Sequence, residues 1–116
     1  MRRVDKPWGF EEIIIENEKY VMKMLHINKG QRLSRQYHNK KDETVYVLKN
    51  VLLVDLSKND SENNIVAMNE GETMRIRPKT IHRFVAPVDN FVEVYEESTP
   101  ELDDVGRLAD DHGRIK

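Results

Sequence analysis

An all-β fold, a barrel or sandwich of short strands, is what the sequence predicts, and three observations predict it. Short β-prone runs recur along the chain, turn signals separate them every 8 to 12 residues or so, and no long amphipathic helical period is present. Each run can be placed in turn. Phe10 to Glu16 reads as a first strand, because its three consecutive isoleucines are β-branched and suit extended backbone better than helix. Asn17-Glu18-Lys19 turns the chain, Tyr20 to Ile27 returns, and Asn28-Lys29-Gly30 turns it again. Gln31 to His38 is a third strand, polar where a core would be expected. Thr44 to Leu48 and Val51 to Leu56 are predicted to be two halves of a hairpin around Lys49-Asn50, since Asn tolerates the left-handed conformation. Ser57 to Asn64 is polar and loop-like. Ile65 to Met68, Glu72 to Ile76, Ile81 to Val85 and Phe91 to Glu97 supply the remaining strands. The tail from Thr99 to Lys116 is charged and irregular, with weak helical character around Val105 to Ala109.

The bulk properties narrow the function classes. A chain of 116 residues suits one domain, 1–116, and its 38% hydrophobic content is enough for one core under a surface fed by 34% charged residues. The net charge of -2 carries no basic excess, so no nucleic-acid partner is expected. The longest apolar runs, such as Val51-Leu52-Leu53-Val54, fall far short of the roughly 20 residues that cross a bilayer, so no membrane association is expected either. The N-terminus offers no apolar leader, which sets a cytoplasmic expectation. Without cysteine, any metal site must use imidazole, carboxylate, amide or water.

The chemistry concentrates after Gly30. Residues i and i+2 of a strand share a face, so Gln36 and His38 point the same way. A tight turn through Asn39 to Asp42 can bring Glu43 back toward that face, and His82, on a distant strand, can close the set. Two imidazoles, a carboxylate and an amide suit a divalent metal ion, with Zn, Mn, Fe, Co and Ni all acceptable. Lys41 and Arg83 flank these residues and could meet an anionic ligand. Trp8 reads as packing over one barrel end, His26 as structural, and Met22 and Met24 as core filling.

Gly30, Gln36, His38, Glu43 and Asn50 fit the first cupin motif without insertion, with Gln for the first His and Asn for the last Gly, while Gly71 and His82 keep the register of the second. The chain therefore resembles the cupins, which implies a double-stranded β-helix, or jelly-roll barrel. A narrower likeness covers nearly the whole sequence. Pro7-Trp8-Gly9, Leu33-Ser34-Arg35-Gln36-Tyr37-His38, His82-Arg83, Val92-Glu93-Val94, Asp103-Asp104-Val105-Gly106-Arg107 and Asp110-Asp111-His112-Gly113-Arg114 are similar to segments of the cupin domain of type II mannose-6-phosphate isomerases, in the same order. That domain is usually fused to a guanylyltransferase, for which 116 residues leave no room, so guanylyl transfer is not expected.

The resemblance implies a metal-dependent isomerase that interconverts an aldose and a ketose phosphate, with a small sugar phosphate as ligand and a homodimer as assembly, the N-terminal strand adding to a neighbouring sheet edge. It implies a carboxylate base, for which Glu93 is the candidate and Glu43 the second, and it adds Arg107 and Arg114 to Lys41 and Arg83 as phosphate partners. The chain departs from the family pattern at Asn39-Lys40-Lys41, Tyr95, Asn50 and Lys79. Those departures keep two alternatives in view: a carbohydrate-binding cupin without turnover, and another metal-dependent cupin enzyme such as an oxygenase or lyase.

Overall fold

The computed structural model describes residues 1–114; Ile115 and Lys116, the end of the expected irregular tail, lie outside the described residues. Eleven strands run in order: β1 (Arg2–Lys6), β2 (Gly9–Glu16), β3 (Val21–Ile27), β4 (Arg35–Tyr37), β5 (Glu43–Lys49), β6 (Leu52–Asp55), β7 (Ile65–Met68), β8 (Thr73–Ile76), β9 (Arg83–Val85), β10 (Val92–Ser98) and β11 (Gly106–Ala109). All pair antiparallel, in a six-stranded sheet β1-β2-β3-β10-β5-β8, a three-stranded sheet β7-β6-β9 and a pair β11-β4. No helix occurs among the described residues.

Period-two alternation explains which side of each strand is covered. In β10 the buried positions are Val92, Val94, Glu96 and Ser98, and in β3 they are Val21, Lys23, Leu25 and Ile27. The apolar members of these rows meet Val45 and Val47 of β5, Leu52 and Val54 of β6 and Phe84 of β9 in one core whose central side chains are fully removed from water. Removing Phe84 down to Ala would forfeit about 3–5 kcal/mol on the scale of core truncations.

Five sequence expectations are corrected. The segments on either side of Lys49-Asn50 do not form a hairpin: β5 pairs with β10 and β8, and β6 pairs with β7 and β9. Asn50 is left-handed as expected, with φ +66°, but it carries the chain from one sheet to the other, its side-chain amide donating to the Phe91 carbonyl at 2.9 Å. The tail segment predicted to lean helical is strand β11 instead, because a segment this short cannot sustain an isolated helix whereas β4 offers it an open edge. Gly106 permits that pairing, since a Cβ there would lie 2.4 Å from the Tyr37 ring. Met22 and Met24 point away from the core, whose β3 contributions come from the alternate residues. Finally, β1 precedes the first expected strand, and of the run Gln31 to His38 only Arg35–Tyr37 is a strand.

The Pro-Trp-Gly segment has a structural explanation. Pro7 and Trp8 make a two-residue link between β1 and β2, turning the Trp8 indole into the core, where it is 3% exposed, while the Trp8 carbonyl accepts the Asn28 amide at 2.9 Å. Gly9 has φ +153°, and a Cβ on it would sit 2.0 Å from the His26 carbonyl oxygen, a backbone atom that cannot step aside. Gly9→Ala is therefore expected to lower stability by well over about 1 kcal/mol. Gly71→Ala, strained at φ +87° but facing open space, should cost only about 1–2 kcal/mol. Urea midpoints of the two variants, with unchanged slopes, check the ordering.

Candidate metal centre

Gln36 and His82 exchange both backbone hydrogen bonds, each 2.9 Å, in an antiparallel bridge that sets their side chains on the same face. His38 follows two residues after Gln36, and Glu43 opens β5 after the intervening loop. His38, Glu43 and His82 are all buried, and each offers a donor atom within 4.8 Å of the others. The His82 Nε2 lies 3.3 Å from Glu43 Oε1, and the His38 Nε2 lies 3.9 Å from Glu43 Oε2. The two rings stand 5.4 Å apart, tilted by 49°.

The hydrogen bonds on the far side of each ring fix what these atoms can do. His38 Nδ1 donates to the Asp104 carbonyl and His82 Nδ1 donates to the Thr80 carbonyl at 2.9 Å. A carbonyl can only accept, so Nδ1 carries the proton in both rings and each Nε2 presents a lone pair. Burial, the largest influence on His38, lowers its pKa against the opposing pull of Glu43, which keeps the ring neutral. Burial pushes Glu43 up, and the Lys41 ammonium 3.3 Å away acts against it, so the carboxylate stands below its usual range. Both Nε2 atoms and both Glu43 oxygens are buried without a hydrogen-bond partner. The Lys41 ammonium, 3.3 Å from Glu43 Oε2, answers one carboxylate oxygen only; the two imidazole lone pairs and Glu43 Oε1 remain turned toward one another, a donor set that fits a divalent ion. Gln36 lies beside this set, its Oε1 accepting from Ser34 Oγ at 3.3 Å.

In front of the cluster opens a cavity of about 240 Å³, bounded by Gln36, His38 and the inner faces of β2 and β3 and closed on one side by the tail. Its volume is below the roughly 300–1,000 Å³ of clefts that take drug-sized ligands, which suits a compact polar molecule. Five cations line it, Lys6, Lys23, Lys41, Arg107 and Arg114, against the three carboxylates Glu11, Asp103 and Glu96. Lys41 Nζ bridges Glu43 at 3.3 Å and Glu96 at 3.1 Å. Burial would lower the Lys41 pKa, but the two carboxylates outweigh it and raise it, so the side chain stays an ammonium. Glu96 is raised, chiefly by burial and by the Glu43 charge, against Lys41 and Lys23.

The structure brings some of the expected residues together and leaves others apart. Gln36, His38, Lys41, Arg107 and Arg114 border the cavity, and Glu43 and His82 lie behind them. Arg107 reaches it from β11 with a buried Nε that has no partner, whereas Arg114 is held by Asp110 through two bonds of 3.0 Å. Arg83 does not face the cavity. It is 1% exposed and anchors the tail, its Nε donating to the Leu33 carbonyl at 2.7 Å and its Nη2 to Asp111 at 3.1 Å. Glu93 does not reach the cavity either: the Val92 and Val94 side chains occupy the inner face, so Glu93 points outward, where it accepts from His26 at 2.8 Å. The inward carboxylate of that strand is Glu96. Sequence reading also missed Lys6, Lys23 and Glu11, whose charges hide among residues that alternate as ordinary surface, and Asp104, whose contact with His38 spans 66 positions.

Barrel, paired jelly-roll sheets and a His-Glu-His cluster at the mouth define a cupin. Residues 1–110 match the family described as Mannose-6-phosphate isomerase C-terminal, and the chain belongs to that family. It is 29% identical over 117 residues to the mannose-1-phosphate guanylyltransferase of Escherichia coli (strain K12), covering 98% of this chain but only 23% of that protein. Among solved structures it is similar in fold to KdgF from a Halomonas species, with TM-score 0.73, 17% identity and coverage of 89% and 91% of the two chains. A cupin-2 domain protein from Rhodospirillum rubrum gives TM-score 0.72 at 14% identity, covering 84% and 64%.

The tail's ion pairs predict an acid sensitivity. The Arg114 side chain, acting against burial, holds Asp110 down at about 2, below its ordinary 3.8. A depressed folded-state pKa gives stability that is whole above the unfolded value and drains as pH falls through the folded one, here between about pH 4 and 2. Asp110→Asn should therefore be less stable than wild type at pH 6 and lose less on acidification to pH 3, measured by urea denaturation at both values.

Proposed function

We propose that this chain is a metal-dependent sugar-phosphate isomerase, converting an aldose phosphate such as mannose 6-phosphate to its ketose isomer. The observation that carries the reading is the set of buried, unpartnered donors of His38, Glu43 and His82 opening onto a compact cavity in which cations outnumber carboxylates. A divalent ion held by these residues, with Gln36 beside them, would supply Lewis-acid stabilisation where oxygen gains negative charge. The chain's own residues account for the rest. Arg107, its Nε free of other partners, and Arg114, Lys6 and Lys23 meet the phosphate dianion. Glu96 takes the role first given to Glu93, moving a proton between adjacent carbons from a buried site in which its pKa is raised toward the working range. Lys41 holds Glu43 and Glu96 apart in charge while staying protonated.

A second reading, a module that binds sugar phosphate without turning it over, is favoured by one observation: Glu96 is already ion-paired to Lys41, which leaves the base encumbered. The two readings differ in a coupled assay. Metal-loaded protein should form fructose 6-phosphate from mannose 6-phosphate, and Glu96→Gln should reduce kcat by about 10²–10⁴ with metal content unchanged. His38→Ala should lose the metal itself. Saturable binding of mannose 6-phosphate by the loaded protein with no product would sink the isomerase reading in favour of the module.

A further inference from the structure

The C-terminal tail makes its closest approach to the metal cluster through Asp104, which lies between the chain's last two strands. Its carbonyl takes the Nδ1 proton of His38. Its carboxylate takes three successive backbone amides of the loop between β4 and β5: Asn39 at 3.1 Å on Oδ1, and Lys40 at 2.6 Å and Lys41 at 2.9 Å on Oδ2. That loop joins His38 to Glu43 and carries Lys41, so three side chains of the centre hang from a backbone segment whose middle three amides converge on one aspartate. The ends of the loop have partners of their own: the His38 carbonyl accepts the Lys79 amide, and Asp42 donates its amide to Thr99 Oγ1 at 3.0 Å while its carbonyl accepts the Thr99 amide at 3.0 Å. The same tail supplies Leu102, Val105 and Arg107 to the cavity wall and is pinned at its far end by Asp111, which both Arg32 and Arg83 engage.

We propose that Asp104 is the positioning residue of the metal centre, coupling the seating of the tail to the affinity of the His38–Glu43–His82 site for a divalent cation. The argument rests on the metal reading above. Outer partners that orient a ligating imidazole typically account for 10–100-fold in metal affinity. Here one residue orients the imidazole through its main chain and sets the His38-to-Glu43 spacing through its side chain. Coupling between two equilibria is reciprocal, so whatever the seated tail adds to metal affinity, bound metal returns to the tail. Filling the site thus closes the cavity wall, and an unseated tail both opens the cavity and loosens the ion.

The test measures Zn²⁺ affinity by competition with a chromophoric chelator, beside thermal unfolding of the apoproteins. Asp104→Ala keeps the carbonyl but loses the loop clamp, and its affinity should fall about 10–100-fold. Asp104→Asn, which keeps one accepting oxygen, should fall between it and wild type and serves if the alanine variant does not fold. Amide exchange across Asp104 to Ala109 should slow when Zn²⁺ is added to wild type, and slow less in either variant. A folded Asp104→Ala that binds Zn²⁺ within twofold of wild type overturns the inference while leaving the metal site standing. Wild type that takes up no Zn²⁺ overturns the metal reading, and this inference with it.

Discussion

Two hydrogen bonds exchanged between Gln36 and His82 join the strand pair β11-β4 to the sheet that contains β9, and the cluster forms where they join. Because the bridge fixes which face each residue presents, it decides that an imidazole from late in the chain meets another from its first third. The remaining ligand needs no long-range pairing of its own, since Glu43 is the first residue of a central strand whose valines are locked in the core. Three donors are thereby held by backbone that cannot relax. Burying two imidazole lone pairs without hydrogen-bond partners costs on the order of a few kcal/mol, and a fold tolerates that only where something else repays it. The strain lies in the arrangement of charge and, beside it, in Lys79, a non-glycine residue at φ +69° whose amide donates to the His38 carbonyl.

Charge is layered around this point. Glu43 faces Lys41, Lys41 faces Glu96, and farther out Lys23 and Lys6 face Glu11 at 3.6 and 3.9 Å. Alternating signs offset part of the cost of burying these charges and leave the outermost layer cationic, where a ligand would first meet the protein. The tail completes the wall with Arg107 and Arg114, so it lines the cavity as well as closing it.

How much of this could be read beforehand depends on the range of the interaction. The metal cluster was legible because strand alternation places Gln36 with His38, a short loop returns Glu43, and the motif spacing supplies His82. The base was not. Alternation correctly puts Glu93 opposite Val92 and Val94, but core and cavity share one face of β10, so the residue opposite the valines must leave both. Lys23 was masked in the same way, because the apolar Met22 and Met24 suggest the wrong face for β3. Strands β1 and β11 lack any hydrophobic alternation and exist through the edges they join. Asn50 announced its left-handed turn, but whether such a turn folds a hairpin or passes between sheets is settled by partners far away in sequence.

Strand β1 ends the six-stranded sheet, and four of its five residues are charged. An open edge of this kind could template a second chain, and charge is the usual guard. The guard here is selective. A two-fold antiparallel meeting centred on Val4 would set Arg2 against Lys6, like against like, as well as Arg3 against Asp5, whereas one centred between Arg3 and Val4 sets Arg2 against Asp5 on both sides and opposes no two like-charged side chains. Since opposed charges across a ladder attract and like charges repel, this edge discriminates between neighbouring registers of its own copy. A strand that looks like plain surface in sequence thus carries an order of charge that would weigh one alignment against its neighbour.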